Sequence, residues 1–331
     1  MKTSLLDYDL PRELVAFGPT PFNGRARLCC VNRASGKIDH SLVMEAFASL
    51  GSGYEVWVNN SKLLRARIKL WRDTGHKVEA LLVERLNDAG HAGQKWIAEV
   101  YAPAKLLDER REWRTHIGGI ECRILAHVKD GRWELEFFGD VDLQTIGEIP
   151  IPPWVRQPED EAEQCWYEPH YAKVPGGYFA PTAGIHIDHA AYYMLKPKEL
   201  TLHIALDSIR TIEAETVEEH AAQPLKPEPY SLPCAPGADG KKVLAVGTTV
   251  VKALETWART GKLSGESALF IGPGFEFKAV SVLLTNLHLP RESLLALTCA
   301  FGGTELVMEA YRQCVKQRYR FSDYGDCMLI T

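Results

Sequence analysis

The sequence predicts an α/β fold: an open, barrel-like mixed α/β domain with an inserted small all-β barrel domain. Short runs of alternating polar and apolar residues, separated by turns, fill the stretch from Ala66 to about Leu143, a pattern typical of a small β-barrel. Strand and helix patterns alternate after this stretch, which indicates an α/β domain. Because 331 residues exceed the usual size of one core, we expect a discontinuous α/β domain over residues 1–65 and 148–331, interrupted by a β-barrel domain over residues 66–147.

The elements up to the end of the barrel follow from local patterns. Ser41–Leu50 has the apolar spacing of a short helix, and Tyr54–Val58 is typical of a strand that runs into a polar turn. The proline-rich, acidic segment EIPIPPWVRQPEDEAEQ is interpreted as the return to the first domain. The strands expected in the barrel are the runs ARIKLW, KVEALLVERL, KWIAEVYA, ECRILAHV and RWELEFF.

The remainder of the chain mixes strands with helices. We predict a helix over Val250–Arg259 and one or two helices over Ser293–Gln317. The prolines and glycines of AAQPLKPEPYSLPCAPGADG predict a mobile loop. The strands expected here are the apolar runs LTLHIAL, KVLAVGTT, SALFIG and AVSVLLTN.

Composition excludes several classes of protein. With 46% apolar and 24% charged residues, the chain is neither fibrous nor disordered. No apolar run reaches signal-peptide or membrane-span length, so we expect a cytoplasmic protein without a membrane partner. We also expect a monomer or weak oligomer. Eight cysteines without a C-x-x-C pair give no indication of a metal site. A net charge of −5 gives no overall attraction to a phosphate backbone, which leaves RNA binding to local basic patches.

Four short segments place small or turn residues beside polar side chains at predicted strand ends, where open α/β sheets bind ligands. The first, VNNSKLLRAR, offers groups that suit a carboxylate or phosphate, although a solvated turn explains it as well. The second, YFAPTAGIHID, forms either a close-approach turn whose amides face a ligand or a helix cap. Their candidate binding residues are Asn59, Asn60, Ser61, Lys62 and Arg67, and Pro181, Thr182, Ala183 and Gly184.

The third segment, VLAVGTTVVKALE, brings Gly247, Thr248 and Thr249 to a predicted helix start, where free N–H groups attract an anion. A threonine N-cap is the alternative interpretation. The spacing differs from that of a nucleotide P-loop. The fourth segment, LLTNLHLPRESLL, contributes Asn286 and His288.

Three histidines in or near these segments are candidates for proton transfer, since the ordinary pKa of imidazole lies near neutrality. They are His186, His203 and His288. A packed, hydrogen-bonded histidine is the commoner role for each one taken alone. Acidic residues near the C-terminus, Asp323 and Asp326 with Tyr324 between them, are interpreted as parts of a turn.

Taken together and in order, these segments resemble the S-adenosylmethionine:tRNA ribosyltransferase-isomerase family. The resemblance extends to the opening DYDLPRELVAFGPTP and to the segments PIPPWVRQPEDE, FIGPGFEFKAV and RYRFSDYGDCMLI, and so covers nearly the whole chain. It implies transfer and isomerisation of the ribosyl unit of S-adenosylmethionine onto 7-aminomethyl-7-deazaguanine in tRNA. The products are epoxyqueuosine, adenine and methionine, and no metal is implied.

The resemblance also implies that the four segments gather around S-adenosylmethionine. A base is needed, because the sulfonium acidifies the adjoining C5′ hydrogens and proton removal opens the ribose and expels adenine. We assign this role to His186 or His288, with His203 as a further candidate. Lys62 and Arg67 would hold carboxylate or phosphate oxygens.

Several ligand-facing positions depart from the family pattern. Lys62 and Lys252 each replace an arginine, which removes a planar, bidentate donor. The sequence IALDSI, after His203, replaces a glycine-rich segment. Of the family's H-x-M-H-S-E segment, the first histidine matches His220, whereas the second histidine and the glutamate have no match in this chain.

Two alternatives follow from these departures. The first is a diverged paralogue that cleaves or rearranges S-adenosylmethionine, or transfers part of it to a small molecule, without tRNA. The second is a non-catalytic binding protein that has kept the fold and lost turnover, of which an RNA-binding protein that uses the β unit is one form. A dense basic run supports RNA contact, although a solvated strand edge explains it as well; it comprises Lys62, Arg65, Arg67, Lys69 and Arg72.

Overall fold

The chain divides into two compact units. One comprises Met1–Lys62 with Pro153–Thr331, and the other comprises Leu63–Pro152. The boundaries therefore lie at 62/63 and 152/153, compared with the 65/66 and 147/148 expected from the sequence. The computed structural model describes residues 1–19, 26–49, 53–72, 74–86, 93–102, 112–129, 132–139, 141–151, 155–156, 158, 163, 165–205 and 208–331.

Strands and helices are numbered in chain order. The strands are β1 (Arg27–Asn32), β2 (Lys37–Leu42), β3 (Tyr54–Asn59), β4 (Ser61–Leu63), β5 (Arg67–Trp71), β6 (Lys77–Arg85), β7 (Gly93–Tyr101), β8 (Glu112–Thr115), β9 (Glu121–Lys129), β10 (Arg132–Phe138), β11 (Val174–Gly177), β12 (Lys198–Leu202), β13 (Glu228–Ser231), β14 (Lys242–Val246), β15 (Ser264–Ser267), β16 (Val282–Asn286) and β17 (Cys327–Ile330). The α-helices are α1 (Val43–Ser49), α2 (Leu143–Ile146), α3 (His189–Leu195), α4 (Val217–Ala221), α5 (Thr248–Thr260), α6 (Ser293–Gly302) and α7 (Thr304–Lys316). Single 3₁₀ turns occupy Thr3–Leu6, Arg12–Leu14 and Thr182–His186.

The larger unit is built on a mixed nine-stranded sheet in the order β15-β13-β12-β3-β14-β16-β17-β1-β2. Its centre is parallel, because β3 pairs in parallel with β12 and β14, and β14 pairs in parallel with β16. The C-terminal ends of these four strands therefore lie along one edge. This edge brings together segments that are far apart in the sequence.

Both faces of this sheet are buried, and alternation along the strands explains how. In β14, Val243 and Ala245 pack into one core together with residues of α5, α6 and α7. Leu244 and Val246 point to the other face and pack with residues of α1 and α3. This accounts for the nearly continuous apolar character of the central strands.

The smaller unit contains a closed barrel of six antiparallel strands in the order β10-β7-β6-β5-β8-β9. Every second residue points inwards, so that Ile68 and Leu70 of β5 and Leu135 and Phe137 of β10 are almost fully buried. The predicted fold class, a mixed α/β domain with an inserted all-β barrel, is confirmed.

Three predicted elements differ from the structure. The strand expected in LTLHIAL ends at Leu202, because the Asn59 side chain binds both the N–H and the C=O of that residue. The strand expected in SALFIG is wrong, since β15 ends at Ser267 and the apolar residues that follow line a cavity. The predicted mobile loop contains β13, which pairs with β12 on one side and β15 on the other.

The C-terminal helical region forms two helices. Gly303 has a φ of 85°, which favours glycine, and it separates α6 from α7 with a bend of 115°. Within the described ranges, no single helix is long and apolar enough to cross a membrane, and α6 and α7 meet that test only when joined across their bend.

Candidate functional site

A cavity opens at the C-terminal edge of the parallel strands, within the larger unit. About 100 Å³ of its interior is accessible to the centre of a water molecule, and the cavity is open to solvent. Eight predicted site residues line it: Pro181, Thr182, Ala183, Gly247, Thr248, Thr249, Asn286 and His288.

The wall after β14 is the start of α5. Gly247 is the N-cap residue, with a φ of 95°, and no side chain caps the first turn. The predicted alternative, a threonine N-cap, is therefore wrong. Among the described residues, no side chain caps the first N–H groups of this helix, which begins at the cavity, so this end favours a carboxylate or another anion.

The facing wall is the 3₁₀ turn Thr182–His186, which follows Pro181. Gly184 is buried, and a Cβ there would lie 2.1 Å from the hydroxyl of Tyr171 and 2.8 Å from Pro169. Only glycine fits this position, so the tight turn depends on Gly184. Gly184 itself is not part of the cavity lining.

The first predicted segment supports the site without lining it. Asn59 donates to Thr249 Oγ1 at 3.2 Å and thereby holds the start of α5. Asn60 donates to Glu199 at 2.9 Å, and Ser61 Oγ lies 2.9 Å from Nδ1 of His203. His203 thus has a hydrogen-bonded, structural position, and burial lowers its pKa. Lys62 is half-buried and does not line the cavity either.

Arg67 lies in the barrel unit, and the structure gives it a different partner from the one predicted. It forms a 2.6 Å ion pair with Glu79 on the neighbouring strand. Other members of the basic run are engaged as well: Lys69 pairs with Glu148 at 2.8 Å, and Arg72 lies 3.8 Å from the centroid of the Trp113 ring. Arg65 donates to the carbonyl of Gly147. The basic run is therefore not an open cationic stripe.

A directed chain of hydrogen bonds reaches the cavity from His186. Nε2 of His186 lies 3.0 Å from Oδ1 of Asn286, and Nδ2 of Asn286 donates to Thr182 Oγ1 at 2.9 Å. Thr182 donates its hydroxyl to Oδ1 of Asp323 at 3.2 Å. Because Asn286 accepts from His186, Nε2 carries the proton. Burial lowers the pKa of His186 to about 4, so the ring is neutral at pH 7.

His288 lies in the cavity wall, with Nε2 2.9 Å from Thr285 Oγ1. Burial lowers its pKa to about 3. Its Nδ1 lies 3.9 Å from a carboxylate oxygen of Glu292. Burial, together with the nearby Asp323, raises the pKa of Glu292 to about 8. His288 and Glu292 are therefore both mainly neutral at pH 7.

Several charged residues of the cavity were missed by sequence reasoning. Glu228 is buried and forms a 2.6 Å ion pair with Lys252, and its other oxygen accepts from the Ala205 N–H and the Ser208 hydroxyl. Nothing in the local sequence pattern around Glu228 marks it as functional. The other missed charged lining residues are Arg210, Lys226 and Asp323, whereas His220, which the family pattern singled out, also lines the cavity.

Among the described residues, no group of three or more His, Cys, Asp or Glu side chains is arranged to hold a metal ion. The cavity offers hydrogen-bonding side chains, the N–H groups at the start of α5 and charged side chains. Such a site suits a polar organic ligand that carries both an anionic and a cationic group.

Comparison with known proteins identifies the family. The family model described as "Queuosine biosynthesis protein" matches residues 3–330. The chain belongs to this family. The resemblance predicted from the sequence is confirmed.

Curated relatives match over their full length. The S-adenosylmethionine:tRNA ribosyltransferase-isomerase of Rubrobacter xylanophilus is 37% identical over 344 residues, which covers 100% of this chain and 98% of the relative. The Aquifex aeolicus protein of the same name is 33% identical over 356 residues and is covered completely, as is this chain. A crystal structure of the S-adenosylmethionine tRNA ribosyltransferase from Thermotoga maritima aligns with a TM-score of 0.54 and 31% identity, over 99% of this chain and 100% of that one.

Two residues of the cavity lining that lie in different elements, Lys252 and Glu228, are joined by their ion pair. Glu228 is buried and lies eight residues after His220, which also lines the cavity.

Proposed function

We propose that the chain transfers the ribosyl unit of S-adenosylmethionine to 7-aminomethyl-7-deazaguanine in tRNA and isomerises it to epoxyqueuosine, with release of adenine and methionine. The observation that carries the proposal is the meeting of Pro181–Ala183, Gly247–Thr249 and Asn286–His288 around one cavity in a member of this family. Full-length matches to relatives with this name support the tRNA acceptor over the alternative without tRNA.

The cavity offers matching groups for the substrate. The uncapped start of α5 suits the methionine carboxylate, because backbone N–H groups and the helix dipole converge there. The apolar residues Leu269, Phe270 and Ile271 form part of the wall and offer a surface for the adenine ring.

The proton acceptor is assigned to His288 in preference to His186. Both rings are neutral at pH 7, and a neutral imidazole is able to accept a proton. His288 lines the cavity, whereas His186 does not. Nε2 of each ring has a hydrogen-bond partner, Thr285 for His288 and Asn286 for His186. Removal of a C5′ proton next to the sulfonium gives a stabilised carbanion that opens the ribose and expels adenine. The pKa of His288 is low in the free protein, and a bound cation would lower it further. A nearby anion is therefore needed to stabilise the protonated ring during this transfer.

The roles of Asn59, Asn60, Ser61 and Gly184 in this proposal are indirect. They hold β12, α5 and the 182–186 turn in the positions that shape the cavity. With tRNA as the acceptor, the enzyme would act in the cytoplasm.

The test is to incubate the full chain with S-adenosylmethionine, with and without tRNA that carries the aminomethyl-deazaguanine base, and to follow adenine, methionine and nucleosides by mass spectrometry. Adenine release that requires the modified tRNA, together with epoxyqueuosine, is the expected result. Turnover without tRNA would instead establish the small-molecule alternative, and binding of tRNA without any cleavage would establish the non-catalytic one.

A further inference from the structure

One carboxylate of the cavity, that of Asp323, forms no ion pair with any residue that the structure describes. Asp323 lines the cavity and makes one side-chain hydrogen bond, from Thr182 to Oδ1. Within the described ranges it takes part in no ion pair, and Oδ2 has no hydrogen-bond partner. Glu228, the other lining carboxylate, is already paired with Lys252. An anion that is partly desolvated but unpaired favours a cationic ligand, since part of its desolvation cost is already met by the fold.

The position of Asp323 is fixed by the turn that carries it. Its carbonyl oxygen accepts from Nδ2 of Asn286 at 2.9 Å, and the Ser322 N–H donates to Leu287 at 2.7 Å. A Cβ at Gly325 would lie 2.3 Å from the carbonyl of Arg320, so the turn is tightly closed. The carboxylate is therefore held at the end of β16 before any ligand arrives.

The hydrogen bonds around Asp323 are directed towards it. Asn286 donates to Thr182, which leaves the Thr182 hydroxyl proton for Asp323. A donor chain that ends on a carboxylate stabilises its negative form.

A second carboxyl group nearby does not share this charge. Glu292 accepts from the Leu289 N–H at 3.0 Å, and its raised pKa of about 8 leaves it mainly protonated at pH 7. Burial raises the pKa of Asp323 above its ordinary value, and the hydrogen bond from Thr182 acts in the opposite direction.

We propose that Asp323 recognises the positively charged sulfur of S-adenosylmethionine. A sulfonium has no N–H or O–H to donate, so its recognition depends on a nearby negative charge, and the unpaired carboxylate of Asp323 supplies one. This inference rests on the function proposed above, and it assigns a specificity role to a residue that the sequence pattern placed in a simple turn.

The test compares the affinities of the full chain for S-adenosylmethionine and for S-adenosylhomocysteine, which lacks the methyl group and the charge, by isothermal titration calorimetry. The wild type is expected to bind the sulfonium more tightly. Asp323→Asn should weaken S-adenosylmethionine binding by about tenfold or more, which corresponds to a loss of about 1.4 kcal/mol in binding free energy. The affinity of this variant for S-adenosylhomocysteine should change by less than about threefold. Retained binding of that ligand would also show that the variant is folded.

Glu292→Gln is the matched control, because it removes a neighbouring carboxyl group that is mainly neutral at pH 7; the ratio of the two affinities should stay as in the wild type. An unchanged ratio in Asp323→Asn would overturn the inference and leave the proposed function standing. A wild type that binds both ligands equally would also overturn it. A wild type that binds neither would refute the proposed function itself, and this inference with it.

Discussion

The ammonium group of Lys252 lies 2.6 Å from the carboxylate of Glu228, and both side chains are largely removed from solvent. Their ion pair joins α5 to β13, and through Ala205 and Ser208 it also holds the segment that follows β12. Three stretches that are distant in the sequence are thus tied together at the cavity wall.

Removing one member of this pair should be costly. Lys252→Ala leaves Glu228 buried and unpaired, so the free energy of unfolding should fall by about 3 kcal/mol or more. Lys252→Arg, which restores the charge, should lose much less. Urea denaturation gives both values, with Lys262→Ala at an exposed position as the control, expected within about 0.5 kcal/mol of the wild type. Equal stability of Lys252→Ala and the wild type would contradict the ion pair.

His288 should make the protein sensitive to acid. Its folded pKa of about 3 lies below its unfolded value of 6.5, so the unfolded chain binds the proton first. The contribution to stability is present above pH 6.5 and is lost as the pH falls towards 3, by about 2 kcal/mol at pH 5. His288→Gln should lose less stability than the wild type between pH 7 and pH 5 in urea unfolding experiments. An identical loss in both proteins would show that His288 is not buried in its neutral form.

Glu292 should act in the opposite direction. Its folded pKa of about 8 exceeds the unfolded value of 4.5, so its contribution to stability is complete below pH 4.5 and declines as the pH rises through 8. Glu292→Gln should therefore gain stability relative to the wild type at pH 8 compared with pH 5, on the order of 1–3 kcal/mol. If the difference between the two proteins does not vary with pH, the carboxyl group is ionised in the native state.

The two histidines should differ in their effect on catalysis. His288→Ala should reduce the rate of adenine release by about a hundredfold or more, as expected for loss of a general base. His186→Ala should act mainly on stability, since its ring holds Asn286 from behind the cavity wall. Single-turnover measurements with saturating S-adenosylmethionine and modified tRNA separate these effects. Full activity of both variants would exclude an imidazole base at these positions.

Gly184 should tolerate no side chain. A Cβ would fall 2.1 Å from the Tyr171 hydroxyl, so Gly184→Ala should destabilise the protein by about 1–3 kcal/mol and weaken S-adenosylmethionine binding. Gly53→Ala is the control, because nothing lies within 4 Å of a Cβ at that exposed position. Thermal unfolding and calorimetric titration measure the two effects, and a silent Gly184→Ala would mean that the turn can open.

Periodicity predicted most strands and helices because burial imposes a period of two or 3.6 on each element. Local patterns also located the three turns that line the cavity. They missed Glu228 and Asp323, because the role of each depends on residues distant in the sequence. Glu228 pairs with Lys252, whereas Asp323 accepts a hydrogen bond from Thr182 and forms no ion pair with the described residues. The false strand at SALFIG has a related cause, since apolar residues that line a cavity have the same pattern as residues of a buried strand.

The strand order has a consequence for biosynthesis. β17 pairs with β16 on one side and, in parallel, with β1 on the other. The β1–β2 pair is therefore connected to the rest of the large sheet through β17, which comes late in the chain. The barrel strands, in contrast, all come from one continuous segment. On the ribosome the barrel can fold while the rest is still being translated, whereas the larger unit must wait for its last strand. Until then the edges of β1 and β16 lack their partner, so the nascent larger unit is the part that would depend on chaperones.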